Sequence, residues 1–272
     1  MIKNIYGICF SPAGKTAKIV KTVIEKMSDL TGIPCQFISI TTPPEREFLF
    51  EFEQDDFVVA GTPTYAGRVP NKIMPYITEN IKGENTKGAA VVTYGNRNFD
   101  DSLIELTSIM KNNGFTVTGA GAFVAEHSFA ETLATGRPAE EDFLKAEALA
   151  AGLCEKLTKG DITQPAVPGN PEYDSYYVPL GTDGKPAKFL KAKPETDYTK
   201  CTMCGRCEAV CPMGSIHAID RYDVTGICIK CQACIKVCPA DAKHFTDPSF
   251  LSHREMLKKN FAETVKESEI YL

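Results

Sequence analysis

Along the first 160 residues, short apolar runs alternate with stretches whose apolar residues recur at helical spacing. Ile2 to Phe10 is a run rich in isoleucine that stops at Ser11-Pro12-Ala13-Gly14. Residues 15–30 then place Ala17, Val20, Ile24, Met27 and Leu30 three or four apart, the period of one helix face. Cys35 to Ile40 predicts a second strand, Phe57 to Ala60 a third, closed by Gly61-Thr62-Pro63, and Ala89 to Val92 a fourth. A helix follows from Asp101 to Met110, then a fifth strand over Thr116 to Val124 and a long helix over Glu140 to Leu157. Five strands separated by helices predict an α/β fold, a parallel sheet covered on both faces. Ligands of such sheets sit beyond the carboxyl ends of the strands, at a switch point in strand order. That singles out loops 11–16, 61–70, 93–101 and 125–129.

The pattern then breaks. Pro165, Pro168, Pro171, Pro179, Pro186 and Pro194 exclude regular helix from residues 165–194. Tyr173, Tyr176, Tyr177, Val178, Phe189 and Leu190 are poor choices for a free linker, so the segment reads as a strap docked on a domain surface. Beyond it, residues 249–268 place Phe250, Leu257, Phe261 and Val265 on one helical face, predicting a packing helix. The chain divides into an α/β domain over 1–164, a strap over 165–196, a small domain over 197–246 and a terminal helix over 247–272.

Composition narrows the function classes. Among 272 residues, 43% are hydrophobic and 24% charged, which is globular rather than disordered. Thirty basic against 35 acidic residues, a net charge of −5, argue against a nucleic-acid platform. No window approaches the roughly 18 consecutive apolar residues of a membrane span. Met1 to Gly7 has one cation and an interrupted apolar run, unlike a signal peptide, so the expectation is a cytoplasmic protein.

Eight of the 11 cysteines crowd between Cys201 and Cys238. Cys201-x-x-Cys204-x-x-Cys207-x-x-x-Cys211-Pro212 recurs as Cys228-x-x-Cys231-x-x-Cys234-x-x-x-Cys238-Pro239, every cysteine offset by 27 residues. Three thiolates at two-residue intervals cap three corners of a cubane, and in this motif the fourth cysteine serves the other cluster. One cluster then takes Cys201, Cys204, Cys207 and Cys238; the other takes Cys228, Cys231, Cys234 and Cys211. Zinc sites use two separated Cys-x-x-Cys pairs, not a third and fourth cysteine before proline. The segment resembles the bacterial ferredoxins that carry two [4Fe–4S] clusters. Cys9, Cys35 and Cys154 are scattered and read as packed thiols.

Ser11-Pro12-Ala13-Gly14-Lys15-Thr16 joins the first strand to the first helix, where hydroxyls and N–H groups suit a phosphate monoester. A Walker motif would need glycine at position 9, which is Cys9, so nucleotide hydrolysis is set aside. No Gly-x-Gly-x-x-Gly loop opens a helix either. With this loop, the N-terminal domain resembles the flavodoxin family, although Ala13 stands where a hydroxyl is usual and Lys15 where a neutral residue is. The resemblance implies a flavodoxin-like five-stranded parallel sheet binding FMN, beside a small α+β two-cluster ferredoxin-like domain. Ser11, Ala13, Gly14, Lys15 and Thr16 would hold the phosphate. Pro63, Thr64, Tyr65, Ala66 and Gly67, with Thr93, Tyr94, Gly95, Asn96, Asn98 and Phe99, would form the two loops at the flavin ring. Asp100 or Asp101 reads as the N-cap of the next helix, and His127 either as a further wall of the pocket or as a hydrogen-bonded loop histidine.

The whole chain looks like a flavodoxin–ferredoxin fusion, which implies an electron-transfer flavoprotein working between FMN and two [4Fe–4S] clusters. The alternative is a reductase that uses the flavin to reduce a small acceptor, such as a quinone or nitro compound. A substrate cavity over the flavin, lined by more than Tyr65, Tyr94 and His127, would distinguish it. The implied partner is a redox protein or small acceptor, with no nucleic acid and no membrane span, and a homodimer is left open.

Overall fold

The computed structural model describes every residue from Met1 to Leu272. The N-terminal part runs β1 (Asn4–Cys9), α1 (Lys15–Thr31), β2 (Cys35–Ser39), β3 (Phe50–Phe52), β4 (Asp56–Pro63), α2 (Met74–Asn80), β5 (Ile81–Gly83), β6 (Thr86–Tyr94), α3 (Ser102–Asn112), β7 (Phe115–Val124) and α4 (Glu140–Lys159). The C-terminal part adds β8 (Glu195–Thr196), α5 (Arg206–Ala209), α6 (Ala233–Lys236), β9 (Lys243–His244), α7 (Pro248–Phe261) and β10 (Glu269–Tyr271). The main sheet is ordered β10-β7-β6-β4-β1-β2. Its five parallel strands, counted along the chain, stand in the order 2-1-3-4-5, the doubly wound arrangement of flavodoxin-type sheets. The switch point falls between β1 and β4, which pair from Asn4↔Asp56 to Cys9↔Gly61.

Alternation along each strand sends successive residues to opposite faces. Ile5, Phe57, Val59, Ala89 and Val91 pack under α1 and α4. Ile8, Val58, Ala60, Ala90 and Val92 pack on the other face, under α3. The buried stripe of α1 is Ile19, Val20, Val23, Ile24 and Met27, each worth roughly 1.5–3 kcal/mol on burial. Leu30, expected on this face, lies in the last turn and is exposed. At Gly61 a Cβ would stand 2.4 Å from Val20 Cγ2, so the close seat of α1 on β4 depends on glycine there. Cys9 and Cys154 are buried in the α1–α4 core, while Cys35 is half-buried at its edge.

Several features differ from the sequence reading. The short strands β3 and β5, paired with each other, and the helix α2 were not predicted. The sheet has a sixth strand: β10 pairs antiparallel with β7, Ile270 opposite Gly121. The terminal helix ends at Phe261, so Val265 lies beyond it and is exposed. β7 would otherwise be an open edge, and the chain end covers it.

Residues 165–194 carry no helix or strand. The first part docks on the α/β domain, and the rest meets α7 and the small domain, Thr182 N–H donating to Ser252 Oγ at 3.0 Å and Lys193 Nζ to the Thr225 carbonyl at 2.8 Å. The Asp101 carboxylate accepts from the backbone N–H groups of Asn170 and Asp174 at 2.8 and 2.7 Å. Asp101 occupies the N-cap position of α3, yet its side chain makes no capping bond, because the strap takes it. Tyr177 N–H donates to the Ala66 carbonyl at 2.8 Å, and Tyr176 Oη to the Val69 carbonyl at 2.9 Å.

The cysteine-rich part repeats its backbone as well as its sequence. Left-handed residues fall at Met203 and Lys230, at Gly205 and Gln232, and at Gly214 and Asp241, each pair 27 apart. One-turn helices α5 and α6 keep the same offset. β8 and β9 form one two-stranded ribbon, and the Ile216–Val224 bridge forms its counterpart. From α7, Phe250 stacks on Phe245 at 4.1 Å and meets Phe129 at 5.0 Å and Phe189 at 5.5 Å. This one side chain ties the small domain, the α/β domain and the strap together.

Candidate cofactor sites

A cavity of about 250 Å³ opens at the carboxyl ends of β1, β4, β6 and β7. Of the residues proposed from sequence, Ser11, Ala13, Lys15, Thr16, Pro63, Thr64, Tyr65, Ala66, Thr93, Tyr94, Gly95 and His127 line it. Five do not. Gly14 is the left-handed N-cap of α1, at φ 76°. Gly67 turns away, where a Cβ would meet the Asp100 carboxylate at 2.3 Å. The buried amide of Asn96 donates to the carbonyls of Phe261 and Thr264 at 3.0 and 2.8 Å, pinning the end of α7. Asn98 accepts from the N–H of Phe99 at 2.8 Å, and Phe99 packs in the core against Tyr94.

Several lining residues were missed by sequence reasoning. Tyr177, Pro179 and Phe189 come from the strap, Ile229 and Lys230 from the second cysteine loop, and His253 and Leu257 from α7. The strap's aromatic content was a signal that it docks, but nothing in the spacing said onto what. Arg97 and Phe129, also in the wall, carried no separate signal.

One end of the cavity is polar and cationic. The N-cap of α1 is Gly14, which has no side chain to cap the helix, leaving the N–H groups of Lys15 and Thr16 and the positive helix terminus free for an anion. Ser11 Oγ holds the N–H of Ala17 at 3.0 Å, and Thr16 Oγ1 meets Thr93 Oγ1 at 2.7 Å. Lys15 Nζ lies 2.7 Å from Glu126 Oε1 and 3.0 Å from the Glu126 carbonyl. Burial lowers the Lys15 ammonium pKa, an effect that Glu126 opposes. The other end offers Tyr65, Tyr94, Phe129, Tyr177 and Phe189 as flat apolar surface. Helix-terminus donors beside the Lys15–Glu126 pair at one end and aromatic plates at the other fit the phosphate and ring of FMN.

His127 is partly exposed by area. Burial nevertheless brings its imidazole down to about 3, with the charges of His253, Lys15, Arg97 and Lys236 adding to the effect. It is neutral, and its Nδ1 accepts weakly from the Phe129 N–H at 3.4 Å, which leaves Nε2 to carry the proton.

Glu126 links this end to the small domain, since Lys236 of α6 lies 3.3 Å from Glu126 Oε1. Burial would raise the Glu126 carboxyl, but Lys15, the Gly136 N–H and Lys236 bring it down from 4.5 to about 2. A depressed carboxyl contributes stability above its unfolded pKa and loses it as pH falls through the folded one. The stability advantage of the parent over Glu126→Gln, measured by denaturant titration, should therefore shrink by roughly 1–3 kcal/mol between pH 5 and pH 2. A difference that stays constant over that range would contradict the assignment.

The eight clustered cysteines ring two further cavities. Cys201, Cys204, Cys207 and Cys238 line one; Cys211, Cys228, Cys231 and Cys234 line the other. These are the two crossed sets, three cysteines from one loop and the fourth from the other repeat. No three metal-binding side chains gather closely enough to hold a single ion. Thiols set around a void fit a cubane cluster instead. The fourth cysteines are matched too: Cys211 Sγ accepts from the Ser215 N–H at 3.4 Å, and Cys238 Sγ from the Ala242 N–H at 3.3 Å. Ile229 and Lys230 line both the Cys211 cavity and the flavin-type cavity. Cys204, in the other set, is exposed.

Residues 194–217 and 225–241 each match a family described as a 4Fe-4S binding domain. Comparison with curated proteins gives no match. Among solved structures, the chain is similar to a flavodoxin from the domain Archaea, at 17% identity and TM-score 0.40 over 57% of this chain and 99% of that one. It is also similar to the Streptococcus pneumonia TIGR4 flavodoxin, at 18% identity and TM-score 0.40 over 56% and 99%. A third is the rubredoxin oxygen:oxidoreductase from the anaerobe Desulfovibrio gigas, at 15% identity and TM-score 0.42 over 58% and 36%. The fold assignment rests on the strand order of the sheet. Together with the matched 4Fe-4S segments, that order describes the chain: an α/β domain of flavodoxin-like fold joined to a segment that matches 4Fe-4S binding domains. No helix is long and apolar enough to cross a membrane.

Proposed function

We propose that the chain is an electron-transfer flavoprotein holding FMN in the 250 Å³ cavity and one [4Fe–4S] cluster in each cysteine-ringed cavity. Bound FMN exchanges electrons singly or in pairs, whereas each cluster passes one at a time. The observation that carries this reading is the shared wall. Ile229 and Lys230 separate the flavin-type cavity from the Cys211, Cys228, Cys231 and Cys234 ring, which sets an inner site beside the flavin. The Cys201, Cys204, Cys207 and Cys238 ring, with Cys204 exposed, is then the outer site that faces a redox partner.

In this arrangement Ser11, Lys15, Thr16 and the start of α1 bind the phosphate, and Tyr65 and Tyr94 flank the ring. Burial pushes the Tyr65 phenol well above its ordinary range, so it stays neutral and exchanges no proton. The strap and α7 add Tyr177, Phe189, His253 and Leu257 to the cavity wall. Because the wall thus reaches beyond Tyr65, Tyr94 and His127, reduction of a small acceptor such as a quinone or nitro compound is the second reading; the wall shared with the inner ring supports electron transfer as the first.

The test is anaerobic preparation of the full chain with FMN, iron and sulfide analysis, followed by rapid-mixing reduction. One FMN and about eight irons per chain are expected, with a flavin reduction rate unchanged over a tenfold range of protein concentration. A rate rising in proportion to concentration would show that the flavin is served by other molecules. A chain that retained clusters but no FMN would remove the flavin half of the reading.

A further inference from the structure

At one pair of equivalent positions in the two cysteine repeats, each member lines its own ring and the two differ in charge. Ile216 lies five residues after Cys211 and lines the inner cavity, 1% exposed. Its counterpart 27 residues later is Lys243, which lines the outer cavity and is 3% exposed. A buried apolar residue has thus been replaced by a buried cation at the pseudo-equivalent place.

Lys243 Nζ donates to Thr196 Oγ1 at 2.7 Å and to the Tyr222 carbonyl. Both acceptors are neutral, and the Asp223 carboxylate lies one hydrogen bond further on, accepting from Thr196 Oγ1 at 2.7 Å. A buried ammonium with no carboxylate in direct contact keeps part of its desolvation cost. A 4Fe–4S centre ligated by four thiolates is net negative, and one in the outer cavity would supply a second counter-charge at the ring itself. The Lys243 charge reaches Cys207 of the outer set and Cys234 of the inner set, in each case opposing burial, which raises the thiol. It lines only the outer cavity, however.

We infer that Lys243 is a positioning residue for charge: its ammonium favours the reduced state of the outer site and so separates the two sites in potential. The sign follows from electrostatics. One-electron reduction adds a negative charge to the centre, and a fixed cation in a low-dielectric setting stabilises the more negative state. Ile216 gives the inner site no such help, and the cation that does line the inner cavity, Lys230, is only half-buried, its Nζ donating to the Cys228 and Leu190 carbonyls. Lys243, 3% exposed, acts at the lower dielectric and so more strongly, and electrons shared between the two sites rest preferentially on the outer one, where a partner reaches them.

This rests on the proposed function, because it requires a 4Fe–4S cluster in the outer cavity. The experiment uses the full chain loaded anaerobically, with iron analysis and a redox titration followed by electron paramagnetic resonance. Lys243→Met, of similar length but uncharged, should lower the reduction equilibrium constant of one cluster about tenfold, 59 mV for one electron, and leave the other within about twofold. Lys243→Arg, which keeps the charge, should remain within about threefold of the parent. A loaded Lys243→Met chain with both potentials unmoved overturns the inference and leaves the proposed function standing. A parent chain that binds no cluster overturns both. Should Lys243→Met not retain about eight irons, the parent decides. Two resolved steps, the higher belonging to the cluster lost in Cys204→Ser, uphold the inference. A single step, or a higher step belonging to the cluster lost in Cys231→Ser, overturns it.

Discussion

Cys238→Ser is expected to strip the cluster held by Cys201, Cys204 and Cys207 and to spare the one held by its own sequence neighbours Cys228, Cys231 and Cys234. The reason is geometric. Cys238 lines the cavity of the first loop, and Cys211 lines the cavity of the second. Each fourth cysteine leaves its own three-cysteine loop through a one-turn helix, α5 or α6, which turns it toward the other ring. Its sulfur is held there by an N–H four residues on, from Ser215 or Ala242. Anaerobic iron and sulfide analysis should show about four of eight irons lost. The surviving paramagnetic signal should match that of Cys204→Ser rather than Cys231→Ser. Cys211→Ser should give the reverse pattern. If Cys238→Ser instead resembled Cys231→Ser, each repeat would hold its own cluster and the crossed arrangement would be wrong.

Arg68→Ala should cost about 3–5 kcal/mol of stability, the usual loss when a buried pair is broken from one side. Glu105 is 2% exposed, and its carboxylate takes two bonds from the Arg68 guanidinium, at 2.9 and 2.5 Å. The Val69 N–H adds a third at 2.8 Å. Without Arg68 the carboxylate stays buried with only that backbone donor. The same guanidinium also holds the strap. It lies 4.7 Å from the Tyr173 ring and 5.1 Å from the Tyr176 ring, and donates to the Asp174 carbonyl at 2.7 Å. Limited proteolysis near Pro168 should therefore accelerate together with the loss of stability in denaturant. The double variant Arg68→Met, Glu105→Leu should recover much of the stability, since no buried charge remains. It should not recover the protease resistance, since the strap would still lack its anchor. Unchanged cleavage of Arg68→Ala would mean that Asp101 and Tyr177 hold the strap without help.

Much of the α/β domain was legible because its elements are encoded locally. Strand alternation and helix spacing are short-range signals, and they located five strands and three of the four N-terminal helices. α2 was missed because it is one short helix with a single buried residue, Ile77, too little for a period to show. Leu30 misled because apolar spacing does not record where a helix leaves the sheet. The site was legible where a loop follows a strand end, which brought Ser11, Tyr65, Tyr94 and His127 to one cavity. It failed for Asn96 and Phe99, two polar-loop neighbours that turn inward, one onto α7 and the other into the core.

The sequence by itself determined five strands, three helices and the duplicated cysteine loops, and led to the expectation that the fourth cysteines cross, because each depends on spacings within a few dozen residues. Tertiary structure alone decided which surfaces meet. Lys15 finds Glu126 across 111 positions, Asn96 finds the end of α7 across 165, and β10 returns to β7 from the far end of the chain. It also decided that the second cysteine loop, and not the first, shares a wall with the flavin-type cavity, and that Lys243 is buried beside the outer ring. The two loops are near-identical in spacing, so no local rule separates inner from outer. Docking separates them, through many weak contacts made at once between segments whose sequences carry no record of one another.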